Sequence, residues 1–342
     1  MALITLLVIS HGANTAEPEA APLFASQQPL EVTIEGPLKP LMRERDSEKE
    51  FDGVLRYTEA DGTEHTLDIE FRARGHYRLQ ESICKFPPLR LDFKRKQVGG
   101  TVFAGQNKLK LVTHCRPRLK KYDQYVLKEE LAYRIFNLHS PFSFRSRLLQ
   151  VNWIDSTGES KGEVRFGFLI EHKDALGERL DLEVSEIQSA DYSTLNREQG
   201  AVAAVFEYLI GNTDFSMIQG APGDDCCHNG LLLKRTDHEY FFVPYDFDMS
   251  GIVSAPYSKP NPRFGITSAT QRVFRGKCIF KPQIEDTVAM FLGKQDDVMR
   301  LIEEQPGLEK KERRKLRLFL GRFYTELSKP ELVDKRLMEK CI

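Results

Sequence analysis

The chain has 342 residues, with 49 Lys plus Arg against 50 Asp plus Glu and a formal net charge of −1. That balance excludes the strongly basic field of a nucleic-acid-binding protein and the excess acidity of a solvating tail. Hydrophobic residues at 41%, with 22 Phe, can build a sizeable core, which excludes general disorder, and no run of apolar residues is long enough for a transmembrane helix.

Ala2 to Ser10 (ALITLLVIS) is an apolar run too short to span a bilayer but suited to the h-region of a signal peptide. The small, polar HGANTAEPEAAP after it suits a cleavage region. No Lys or Arg precedes the run and no A-x-A site follows, so a buried N-terminal strand is the alternative. Ala13 to Gln28 reads as an Ala/Pro-rich linker. Residues 1–28 are therefore expected to be a signal-peptide-like segment and linker, with export to a periplasm or cell envelope.

LEVTIEG, FDGVLRYTE and the stretch Thr66 to Arg72 alternate polar and apolar residues, as half-buried strands do. FPPLRLDF and KLKLV continue the pattern, with Pro87 and Pro88 at a strand entry. Between Tyr122 and Leu138 the period becomes helical, with Leu127, Leu131, Ile135 and Leu138 on one face and Asp123 as N-cap. RSRLLQVNWI and EVRFGFLIEH read as a hairpin turning at DSTGES. A second helix is predicted from Arg197 to Ile210, stopped by Gly211. GLLLKR and YFFVPYDF are short strands, and from about Pro282 onward the pattern is helical. The charged run Glu309 to Arg317 reads as a solvated helix face.

The six cysteines form no CxxC, so a zinc ribbon or thioredoxin-like motif has no support. In an exported protein they can pair: Cys84 and Cys115 flank one hairpin region, and Cys278 is a partner for Cys226 or Cys227. In a cytosolic protein they would be free thiols. Cys226, Cys227 and His228 are consecutive, a poor basis for tetrahedral zinc. His114, His228 and His238 show no ligand spacing and read as structural. Arg272, Arg275 and Lys277 form a small basic cluster, either a solvated loop or a contact for phosphate or an acidic substrate.

The chemistry-bearing order is GNTDFS, then APGDDCC, HN, a strand and PYDFD. It holds Asp214, Asn229, Asp246 and Asp248. Asp and Asn are common in turns, but two carboxylates and an amide in this order can hold Mg²⁺ and orient a hydroxyl. Upstream, Lys108 and Lys110 alternate with leucines and share a strand face, and Glu129 or Glu130 on the following helix can pair with one of them.

In order, RARGHYR (Arg72 to Arg78), FPPLRLDF, KLKLV, LKEELAYRIFN, GFLIEHKD, GNTD, HN and PYDFD resemble the CotH family of atypical secreted and spore-coat kinases. The resemblance covers about half the chain, from Ile69 to Ile252, and rests on the order of weak motifs. It implies an α+β, two-lobed protein-kinase-like fold, with a β-rich N-lobe at 29–172 and a mainly helical C-lobe at 173–342. It implies ATP- and Mg²⁺-dependent phosphotransfer to a protein or surface hydroxyl. Arg74 and one of Lys108 or Lys110, preferably Lys110, would contact phosphate, with Glu130 or its neighbour supporting the lysine. Glu171 to Lys173 would be a hinge meeting adenine. Asp214 would orient the nucleophile, Asn229 and Asp246 would hold Mg²⁺, and Asp248 would stand behind them. The chain departs from kinases in lacking G-x-G-x-x-G, and its APGDDCC insertion offers Asp224 and Asp225 as competing ligands. Three other readings stand beside this one: a non-catalytic scaffold of the envelope, AMP transfer from the same site, and a carbohydrate-binding β-protein, which the helical second half disfavours.

Overall fold

The computed structural model describes residues 21–342. The apolar run Ala2 to Ser10 and the first part of the linker lie outside the described residues. Seven strands form a closed barrel: β1 (Leu30–Gly36), β2 (Phe51–Thr58), β3 (Glu64–Ala73), β4 (Leu89–Phe93), β5 (Lys108–Val112), β6 (Ser146–Asp155) and β7 (Glu163–Ile170). Their order around the barrel is β1-β2-β3-β4-β5-β7-β6. Neighbours are antiparallel except β1 and β6, which run parallel and close it, with Leu30 opposite Leu149 and Gly36 opposite Asp155.

This closed barrel overturns the expected two-lobed kinase-like fold with a β-rich N-lobe and a mainly helical C-lobe. Alternation locates strands, because side chains on a strand point to opposite faces. It carries no record of which strands become neighbours, and the β1–β6 pairing that turns a sheet into a barrel joins segments far apart in sequence.

Apolar residues of alternate positions, among them Val32, Ile34, Leu91, Leu111, Val151 and Leu169, fill the barrel. Phe71 enters that core between Gly36 and Gly53, where an added Cβ would stand 2.5 Å from its ring. The outer wall formed by β5, β7 and β6 turns Val112, Phe168, Ile170 and Leu148 the other way, into a second core.

Helices follow as α1 (Leu38–Glu44), α2 (Arg95–Val98), α3 (Asp123–His139), α4 (Lys173–Leu180), α5 (Arg197–Ile210), α6 (Lys281–Gly293), α7 (Gln295–Glu304), α8 (Lys310–Leu327) and α9 (Pro330–Val333). The second core packs the barrel wall on α3, and α3 on α5 and the C-terminal helices. A small antiparallel sheet, β8 (Glu183–Val184), β9 (Gly230–Thr236) and β10 (Glu239–Pro244), lies beside α5. The predicted second helix matches α5, and Gly211 ends it at φ 67°. Asp123 differs from expectation: it is the first residue of α3, and its Oδ1 accepts from Arg165 Nε at 2.8 Å instead of capping.

Disulfides join Cys84 to Cys115 and Cys278 to Cys341. The first was expected; the second replaces the expected bond from Cys278 to the adjacent pair, because the C-terminus returns to that place. Cys278 N donates to Ile342 O and Ile342 N to Gly276 O. Cys226 and Cys227 are bonded to each other.

Candidate functional site

The site forms where the outer face of β3, β4 and β5 meets α3 and the segment after β10. Lys110 lies between Leu109 and Leu111, whose side chains fill the barrel, so it projects outward. In register, Arg72 stands opposite Arg90, and Arg90 opposite Lys110. Like charges directly opposite on adjacent strands are destabilising. The first two are offset: Arg72 pairs with Glu48 at 3.3 Å and Arg90 with Asp92 at 3.2 Å. Lys110 forms no ion pair among the described residues. Its Nζ instead lies 4.6 Å from the centre of the Tyr245 ring. Burial, with Arg74 adding to it, brings the Lys110 ammonium down to about 7.

Arg74 follows β3 and leads into Gly75, whose φ of 93° lets the chain turn away from the barrel. Burial also lowers the Arg74 pKa, against the attraction of Asp246. Arg72, Arg74, Arg90, Lys108 and Lys110, with the imidazole of His172, line a cleft of about 500 Å³. That volume is in the range of small-ligand sites.

Behind the cleft, beside a small space that shares Arg74 and Lys110 with it, Arg78 gathers three carboxylates. Its guanidinium reaches Glu129 at 3.1 and 3.3 Å, Asp246 at 2.9 Å and Asp248 at 3.1 Å. Burial opposes the Arg78 charge, and Asp248 and Glu129 overcome it, holding its pKa well above the ordinary value. Burial raises Glu129 to about 7 and pushes Asp248 well up. Asp246 is the accessible member, with its side chain one-third exposed. Tyr133 Oη accepts its backbone N–H at 2.9 Å and fixes its position at φ 61°.

A second group adjoins through the backbone: Tyr245 N donates to Asn229 O. Asn229 Nδ2 donates to the Asp214 main-chain oxygen at 2.6 Å and to Asp214 Oδ2 at 3.1 Å. His228 Nε2 lies 2.9 Å from Asp214 Oδ1, and this hydrogen bond raises the His228 pKa. Arg275 braces the loop from behind by donating to the main-chain oxygens of Thr213 and Phe215.

Of the residues singled out in the sequence, Arg74 and Lys110 line the cleft, Asp246 meets them in the small space behind it, and Asn229 and Asp214 adjoin Asp246 through the Tyr245–Asn229 hydrogen bond. Lys108 is exposed at the rim. Glu130 is elsewhere: buried, it accepts from Ser146 Oγ and Gln305 Nε2, and Glu129 is the helix acid at the site. Glu171 is also committed elsewhere. Its carboxylate accepts from Arg179 at 2.9 and 3.0 Å and from Arg145 N, and its own N–H goes to Arg145 O. Asp248 is too buried, and too fully engaged by Arg78 and Tyr257, to be a ligand. Asp224 and Asp225 are exposed in the loop. Two participants were not recognised in the sequence: Arg78, quoted only as part of a motif, and His228, read as structural. The carboxylate-rich segments that converge on Arg78 are far apart in the chain, so only spacing in three dimensions reveals it.

Among the described residues no three His, Cys, Asp or Glu side chains group as a metal site. Asp246 has one oxygen, Oδ1, held by Arg78, and Asn229 uses its amide nitrogen on Asp214, leaving one oxygen on each. Two such oxygens do not make a cage for a resident ion. No family model and no curated protein matches the chain.

Proposed function

We propose that the cleft binds the phosphates of MgATP and that the protein transfers phosphate to a hydroxyl of a protein or surface polymer. The observation that carries this reading is Lys110, which forms no ion pair among the described residues, with Arg74 beside it and the ion-paired Arg90 and Arg72 on the neighbouring strands. Like charges held together this way have a use when a polyanion completes the site. The reading rests on the site and not on the fold, which is a barrel; folds and chemistries are not tied one to one.

Lys110 and Arg74 would hold phosphate oxygens, and the anion would restore the full charge of Lys110. Mg²⁺ carried by the nucleotide would offset charge on the phosphates, with the free oxygens of Asp246 and Asn229 as its protein ligands. Asp214, steadied by His228 and Asn229, would orient the acceptor hydroxyl and take its proton. The hydroxyl oxygen forms a bond to the γ-phosphorus, the bond to the bridging oxygen breaks, and ADP leaves. Positioning and charge stabilisation supply the rate in such a site. The disulfides fit an oxidising, extracytoplasmic compartment, and no helix among the described residues is long and apolar enough to cross a membrane.

A second reading, a nucleotide-binding scaffold without catalysis, is favoured by one fact: Arg78 already engages Asp246 and Asp248. One experiment separates the two. ATP labelled on the γ- or the α-phosphate is offered with Mg²⁺ to wild type, Lys110→Met, Asp214→Ala and Asp246→Ala. In parallel, thermal stability is recorded with and without nucleotide. Phosphotransfer predicts γ-label incorporation that each substitution removes. Stabilisation by nucleotide without label supports the scaffold, and α-label alone indicates AMP transfer. Absence of both label and stabilisation, where ligand at 100 times its Kd stabilises by about 2.7 kcal/mol, would overturn nucleotide binding itself.

A further inference from the structure

On the other side of α3 lies a second cavity, and it owes nothing to the phosphotransfer reading. Consecutive residues of α3 serve both: Glu129 meets Arg78 behind the cleft, and Lys128 faces a groove of about 560 Å³ between α3, α8 and the segment after Asp248. Tyr125 and Phe319 line the groove as aromatic groups, each with one cation over its ring, Lys128 at 4.8 Å and Arg272 at 3.9 Å, and Leu318, also lining it, is 57% exposed. Lys121, Lys311, Lys315 and Arg322 line the groove and are exposed.

The charges divide into two sets. Inside, Glu312 is taken up by Lys128 at 3.3 Å and Lys315 at 2.6 Å. At the rim, Lys121, Lys311 and Arg322 form no ion pair among the described residues. The other carboxylate in the lining is that of Glu309, whose main-chain N–H is tied to Gln124 Oε1 of α3. The chain as a whole is almost neutral, so a groove with surplus cations and aromatic groups in its lining is a local departure from its average surface. Exposed apolar and aromatic groups ringed by one sign of charge mark binding surfaces.

We propose that this groove docks an acidic peptide segment of a partner protein, with an apolar side chain against Tyr125 and Phe319 and carboxylates on Lys121, Lys311 and Arg322. Its concave form fits a side chain entering between two helices, as a peptide provides, better than the plane of a lipid surface. The groove uses the helix that also carries Glu129 to Arg78, so a peptide seated here would lie on the back of that helix.

The test uses the full chain and three fluorescent twelve-residue probes: alternating Glu and Leu, the Gln/Leu counterpart and the Lys/Leu counterpart. Vesicles of phosphatidylcholine with phosphatidylglycerol are offered separately. The proposal expects the Glu/Leu probe to bind, the other two to bind at least tenfold more weakly, and affinity to fall steeply with salt. The variant Lys121→Glu/Lys311→Glu/Arg322→Glu should lose at least tenfold in affinity. Its circular dichroism and melting curve should match wild type, since all three side chains are exposed. Phe319→Ala should weaken the Glu/Leu probe with its salt dependence unchanged. Equal binding of the Gln/Leu probe, or full binding by the folded triple variant, would overturn the proposal. So would vesicle binding that needs the three cations in a protein that ignores the peptides, because it would assign the surface to anionic lipid.

Discussion

Replacing Arg78 with Met should cost more stability than any other single change at the site. The guanidinium makes two contacts to Glu129 and one each to Asp246 and Asp248, and its own side chain is 9% exposed. Glu129 and Asp248 are almost fully buried, at 3% and 7%, whereas Asp246 at 33% can recover solvent. The loss therefore comes from two stranded carboxylates. Removing one partner of a buried ion pair costs about 3–5 kcal/mol, and the methionine recovers part of the packing. The size should depend on pH. Burial already holds both carboxyl groups above their ordinary values, and loss of Arg78 raises them further. A carboxyl with a raised folded-state pKa costs nothing while protonated in both states. The penalty grows as pH rises from the unfolded pKa toward the folded one. The variant should thus be closest to wild type near pH 5 and fall behind by pH 8. Urea unfolding at both pH values measures this. Glu129→Gln in the Arg78→Met background should regain about 1 kcal/mol or more at pH 8. A loss below 1 kcal/mol at pH 8, or one independent of pH, would refute the account of Arg78 as the counter-charge of this cluster.

Glu207 is buried beneath the Asp214 loop, and burial raises it to about 8. Glu207→Gln should therefore leave stability near pH 5 unchanged and increase it progressively toward pH 8, as denaturation midpoints across that range would show. His139 runs in the opposite sense: burial lowers it to about 4, so wild type should lose stability as pH falls from about 6.5 toward 4, and His139→Phe should reduce that loss. The His228 resonance in NMR should titrate above an ordinary histidine and return toward it in Asp214→Asn, because the Asp214 hydrogen bond is the chief cause of the shift. Cys278→Ala/Cys341→Ala opens a loop of 63 residues in sequence separation. Chain-entropy arithmetic for such a loop gives about 4 kcal/mol. A change in urea midpoint no larger than that of a surface substitution would contradict it.

The strands were legible because alternation is strict where one face meets a filled barrel: in β3, Leu67, Ile69 and Phe71 are buried while Thr66 and Asp68 are exposed. Helix α5 was legible from its apolar period and its glycine stop. Barrel closure was not legible, since nothing in LEVTIEG or RSRLLQVNWI marks them as partners. The site was legible in part. The positions of Lys110 and Asp246 were legible because one lies on an alternating strand and the other follows an apolar one. Glu129 and Glu130 could not be told apart from sequence because neighbouring helix residues differ by 100° in direction, and both are buried, Glu129 against Arg78 and Glu130 against Ser146 and Gln305. Glu171 failed because its arginine partner, Arg179, belongs to a helix that the sequence pattern did not reveal. The hydrogen bond of His228 to Asp214 was not legible because it spans a loop.

The parallel seam between β1 and β6 has a consequence for the order of folding. When β1 has paired with β2, its other edge has no partner until Ser146–Asp155 is available to meet it. On a ribosome, that edge waits through the synthesis of β2 to β5 and the whole of α3. Non-local pairings of this kind are slow to form, and an unpaired edge invites association with other chains. Aggregation should therefore be most severe for nascent chains that end between Val112 and Ser146. Once β6 and β7 are added, the same closure removes the free edge and fixes both ends of α3, the helix that carries Glu129, to the finished barrel.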